Sequence, residues 1–116
     1  MVLTRNFRET IHARAKKDPA YREAMLTEAV DCFLSGDVDV GKALLRDYIK
    51  ATVGFETLSR QINKPSKSLH RMLSPSGNPG AHNFFEILTC LQNNEGLELV
   101  VSARHRSDTG LCDTAL

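Results

Sequence analysis

The chain contains no tryptophan, only three cysteines, and no long apolar run. A membrane span needs roughly 18 or more consecutive apolar residues, and no stretch approaches that. The opening "MVLTRNFRETIHARAKK" lacks the apolar centre of a secretory signal. Cys32, Cys90 and Cys112 are odd in number and far apart, which fits neither a disulfide framework nor a CxxC metal site and suits reduced thiols. A cytoplasmic protein with no membrane partner is therefore expected. Signatures of chemistry are missing as well: there is no HExxH, no glycine-rich phosphate loop and no Gly-x-Ser-x-Gly. His12, His70, His82 and His105 are scattered, and Cys90 lies beside an apolar helical stripe, as a small core residue would. The expectation is a protein that is not an enzyme, with no catalytic residue, metal or cofactor.

What is present is the composition of an ordinary globular protein: 116 residues, 41% hydrophobic and 25% charged. That length supports one compact domain with appendages. The net charge of +1 conceals an uneven distribution. Residues 55 to 80 hold Arg60, Lys64, Lys67 and Arg71 against Glu56 alone, a local +3. Residues 81 to 116 carry two arginines against five acids, a local −3. A basic segment of this kind attracts anions such as a nucleic-acid backbone.

Hydrophobic periodicity predicts a mainly α fold. A first helix over 4–17, capped by Thr4 or Asn6, has a thin stripe of Phe7, Ile11 and Ala15, the pattern of an arm or lid. Asp18-Pro19 starts a second, because the carboxylate can accept first-turn amides and proline has none to leave unpaired. Its face of Tyr21, Met25, Ala29 and Phe33 runs to Gly36. A third follows Asp37 or Asp39, with Val40, Leu44, Leu45, Tyr48, Ile49 and Val53 at helical spacing before Gly54; Gly41 weakens it slightly. Two short helical patterns come next, Phe55 to Ile62 and Ser66 to Leu73, and then the turn-rich "SPSGNPG". Phe84, Ile87, Leu88 and Leu91 mark a last helix. Beyond it "LELVVSA" alternates with a two-residue period, a strand signal with Leu97, Leu99 and Val101 on one side. A lone strand has unpaired edges: a second copy of itself is the economical partner, giving a homodimer, and the alternative is addition to a partner protein's sheet. The expected organisation is an N-terminal helical extension over 1–36, a DNA-binding domain over 37–96, a strand over 97–103 and a flexible tail over 104–116. The extension either completes the core or grips a partner protein.

The window "FETLSRQINKPSKSLHRML" meets the demands of a helix-turn-helix, which places its second helix in the DNA major groove. Ser59 is small enough for a close helix crossing, and Asn63 tolerates positive φ at the turn. Leu58, Ile62, Leu69 and Met72 supply the apolar lock. The outward face of the second helix then carries Ser66, Lys67, His70 and Arg71, with Arg60 and Lys64 close by. Lysine and arginine bond guanine edges or phosphates, and serine bonds phosphate oxygens.

From Gly54 onward the order "GFETLSRQINKPSKSLHRMLSPSGNPGAHNFFEILTCLQNNEGLELVV" resembles the helix-turn-helix antitoxins of the HigA-like addiction-module antidote type. The hallmark is a recognition helix running into an "LSPxGNP" loop, here "LSPSGNP" from Leu73 to Pro79, followed by a helix and a short strand. The likeness extends over about residues 20 to 103. It implies a lambda-repressor-like domain, dimerisation, binding to double-stranded operator DNA in its own promoter through recognition positions Ser66, Lys67, Ser68, His70 and Arg71, and neutralisation of a RelE/HigB-like toxin. Pro65 stands where that family often has a serine cap, and Lys64 where it is often apolar. Two other readings stay open: a free-standing transcriptional regulator without a toxin, and a protein-interaction adaptor that uses the helix pair without touching DNA.

Overall fold

The computed structural model describes residues 5–106, with side chains from residue 9 onward. Thr4, the Phe7 side chain, Cys112 and the tail beyond 106 lie outside the described residues. The described chain is mainly helical: α1 (Arg5–Lys17), α2 (Pro19–Leu34), α3 (Val38–Ala51), α4 (Phe55–Ile62), α5 (Ser66–Met72) and α6 (Ala81–Glu95). No described helix is long and apolar enough to cross a membrane.

The helix boundaries follow local chemistry. Asp18 caps α2, its Oδ1 accepting from the amides of Ala20 at 3.1 Å and Tyr21 at 3.3 Å, with Pro19 just behind it. Asn6, a candidate cap, falls inside α1. Asp37 occupies the position before α3 without a side-chain cap bond, and Asp39 places its charge in the first turn, where the helix dipole favours an anion. Gly41 has a packing role: a Cβ there would meet the Phe33 ring at 3.1 Å, so its absence lets α2 and α3 approach closely.

One core cluster runs through all six helices. Ala15 comes from α1, Met25, Leu26 and Ala29 from α2, Leu45, Tyr48, Ile49 and Ala51 from α3, Phe55, Leu58 and Ile62 from α4, Leu69 from α5, and Ile87, Leu88 and Leu91 from α6. The N-terminal helices thus contribute to the same core as α3, which packs against both. Arg22 reinforces this junction. Its Nη1 donates to the Ala15 and Lys16 carbonyls at 2.8 and 3.3 Å, closing the end of α1, while its Nε donates to Glu95 Oε1 at 2.9 Å, tying α2 to the end of α6.

The strand expected over 97–103 is not formed, and no strand occurs among the described residues. A strand needs backbone pairing, whereas here the Leu97 amide donates to the Gln92 carbonyl at 3.0 Å and the Leu99 amide to Gln92 Oε1 at 2.7 Å. The alternation survives in part as packing. Leu97 and Leu99 lie against the core and Glu98 and Val100 are exposed, but Val101 also faces outward, 70% exposed.

Candidate nucleic-acid interface

The short helices α4 and α5 pack on each other and are joined through Asn63, Lys64 and Pro65. Asn63 ends α4 at φ 54° and ψ 49°, the left-handed conformation for which its short polar side chain suits it. Among the described residues it is the one non-glycine with positive φ. The turn is fixed by the Lys64 amide, which donates to the Ser59 carbonyl at 3.1 Å, and by the Ser59 hydroxyl, which donates to the Lys64 carbonyl. Ser59 is therefore both a small residue and a turn-closing one.

Beneath the turn, Leu58 and Leu69 are fully buried and Ile62 nearly so, while Met72 packs at the edge of the core. Burying Leu58, Ile62 and Leu69 contributes about 1.5–3 kcal/mol each, which helices of eight and seven residues need because such lengths are unstable alone. Phe55 and Leu73, outside the apolar lock expected from sequence, belong to it too: Phe55 is 7% exposed and Leu73 fully buried. The opposite side of α4 is tied to α6 by a reciprocal amide pair. Gln61 Nε2 donates to Asn94 Oδ1 at 3.2 Å and Asn94 Nδ2 to Gln61 Oε1 at 2.7 Å. Gln61 Oε1 also accepts from the Cys90 thiol at 2.9 Å, and burial pushes that thiol's pKa up, away from a reactive thiolate.

The outward face of α5 has distinct parts. Lys67, His70 and Arg71 are exposed and lie on adjoining turns. His70 is braced, its ring stacked on Phe55 at a centroid distance of 4.0 Å. Ser66 and Ser68 are half-buried, and the Ser66 hydroxyl donates to Glu56 Oε2 at 3.2 Å. Arg60 is exposed on α4, with Nη2 donating to Thr57 Oγ1 at 3.3 Å. Lys64 differs, since its ammonium pairs with Glu86 Oε1 of α6 at 3.2 Å. The unpaired positive charge of this surface is thus concentrated on Arg60, Lys67 and Arg71, and Glu56 sits at its margin.

The loop after α5 shows a feature that the sequence reading did not single out. Lys42 of α3 is 1% exposed, and its Nζ donates to the carbonyls of Gly77 at 2.6 Å and Pro75 at 3.3 Å and to Asn78 Oδ1 at 3.5 Å. Arg46, one turn along, donates to the carbonyl of Leu73, the residue that ends α5. The signal was present in the spacing: Lys42 interrupts the Leu45 and Ile49 stripe at the i, i+3, i+7 positions of a core face.

No protein-family model, no curated protein and no solved structure matches this chain.

Proposed function

We propose that α4 and α5 form a helix-turn-helix in a lambda-repressor-like arrangement, and that the protein is a sequence-specific DNA-binding regulator. The observation that carries this reading is the left-handed Asn63 turn between two short helices whose second member presents exposed Lys67, His70 and Arg71 together. In this reading Lys67 and Arg71 bond guanine edges or phosphates, His70 is held for contact by Phe55, and Ser66, Ser68 and Arg60 lie at the edges. Lys64, engaged by Glu86, acts chiefly in holding α6 against the turn. No covalent chemistry or cofactor belongs to the mechanism.

The regulator is a homodimer that places two α5 helices in successive major grooves of a palindromic operator, with half-sites about one helical turn apart. The segment 97–103, outside the helices and carrying exposed Val100 and Val101, supplies the pairing edge between copies. Sedimentation of the chain ended before Leu97 should then give a monomer; a persistent dimer moves the interface to the helices. The biological role is that of a type II antitoxin, which represses its own operon and neutralises a RelE/HigB-like toxin. Its "LSPSGNP" loop supports that role by resemblance. Co-purification of the neighbouring gene's product and relief of growth arrest on co-expression test this, and failure of both leaves a free-standing regulator. The DNA-binding reading itself is tested by a gel shift on the sequence upstream of the gene. Absent or salt-insensitive binding favours the adaptor.

A further inference from the structure

We propose that Lys42 and Arg46 are positioning residues for α5, holding its carboxyl end and exit loop from behind so that the helix is presented to DNA at one fixed angle. The proposal rests on the helix-turn-helix reading above. At 1% exposure the Lys42 ammonium cannot reach a phosphate. Its three donors match three loop oxygens, those of Pro75, Gly77 and Asn78, and Asp39 Oδ1 stands 3.7 Å away on the solvent side. Arg46 holds the Leu73 carbonyl and Lys42 the oxygens of residues 75, 77 and 78, so two cations four residues apart on α3 grip the start and the far half of the same segment, 73–78.

The last carbonyls of a helix have no partner within it and carry the negative end of its dipole. In a helix of seven residues these groups are a large share of the whole. Here the Ser74 amide and hydroxyl hold the Arg71 carbonyl and Arg46 holds that of Leu73, the capping residue, so the tilt depends on how this exit segment is itself held. The holder here is rigid, because α3 is anchored by Leu45, Tyr48 and Ile49, all fully buried. Hydrogen bonds from charged donors are stronger than neutral ones, and they are directional where the apolar contacts of Leu69 and Leu73 are not. A clamp of this kind governs discrimination between sequences, which needs aligned base contacts, and leaves the electrostatic attraction to any DNA intact.

The test compares the full chain with Lys42→Met, Arg46→Gln and Lys67→Ala. The readouts are amide hydrogen exchange and the ratio of affinities for the upstream DNA and a scrambled duplex at several salt concentrations. For Lys42→Met and Arg46→Gln, exchange at Ser74 and Gly77 should quicken about tenfold while amides 45–49 of α3 are unchanged, as loss of a charged hydrogen bond from one locus requires. The affinity ratio should fall about tenfold with the salt slope preserved, whereas Lys67→Ala should lower the slope by about one. A partly unfolded variant would weaken both duplexes equally and leave the ratio alone. If Lys42→Met does not fold, Arg46→Gln carries the test. An unchanged ratio in a variant whose α3 amides 45–49 stay protected as in wild type, or unchanged exchange at Ser74 and Gly77, overturns the positioning role alone. A wild-type chain that prefers no DNA overturns the helix-turn-helix reading, and this proposal with it.

Discussion

Gly77→Ala puts the exit loop under the most direct strain. A Cβ at this position would lie 1.8 Å from the Arg71 carbonyl oxygen and 2.9 Å from its carbon. Both are backbone atoms at the end of α5, so no flexible side chain can yield, and the loop must move by more than an ångström to clear them. That displacement acts on the Gly77 amide, which donates to Ser74 O and Oγ at 3.1 Å each, and on the Gly77 carbonyl, which accepts from Lys42 Nζ at 2.6 Å. With about 1 kcal/mol for the neutral bond and about 2 for the charged one, the loss is about 3 kcal/mol. For a chain of this size each kcal/mol lowers Tm by about 4 °C, so far-UV circular dichroism should show melting about 12 °C below wild type. A decrease under about 3 °C would refute the close approach of Gly77 to Arg71 and the loop geometry built on it.

Other predictions concern the turn and the core. Asn63→Gly should be neutral or slightly stabilising, whereas Asn63→Val should cost about 1–2 kcal/mol in chemical denaturation because a β-branched residue resists the left-handed region. Equal effects of the two would contradict the turn conformation. Tyr48 is fully buried with no hydrogen-bond partner for its hydroxyl, and burial, reinforced by the Glu95 carboxylate and opposed by Arg22, raises its pKa well above the ordinary 10.0. The folded state therefore keeps the proton that the unfolded chain releases, and this contribution to stability is complete below pH 10.0 and declines above it, by about 1.4 kcal/mol per pH unit. Tyr48→Phe should remove that part of the alkaline decline and change stability at pH 7 by less than about 1 kcal/mol; a larger loss there would mean that the hydroxyl has a partner.

The helices were legible in the sequence because each combined a 3.6-residue apolar stripe with an explicit stop or start. Asp18-Pro19 sets the start of α2, and the pattern placed α4 at Phe55 to Ile62, where it lies. Asn63 could be read as the turn residue since few side chains other than glycine accept its conformation. The burial of Lys42 is legible in its place on the Leu45 and Ile49 stripe, but its partners are not, because they are carbonyls more than thirty residues away, and carbonyls carry no sequence signature. The Lys64 ion pair was hidden for a similar reason: its partner Glu86, brought to 3.2 Å, lies 22 positions on. The alternation of 97–103 was read as a strand, but period two reports only which side of an extended segment is covered. Leu97 and Leu99 are covered by the chain's own core, and pairing is a separate matter.

The central claim is that α5 reads DNA through its exposed cations. The most direct measurement is the equilibrium affinity for the upstream duplex across a salt series, for wild type and for Lys67→Ala combined with Arg71→Ala. The account predicts steeply salt-dependent wild-type binding, a double variant whose slope of log affinity against log salt is shallower by about two, and much weaker binding at every salt. Circular dichroism should be unchanged, since both side chains are exposed. A double variant that binds with the wild-type slope and affinity would contradict the claim.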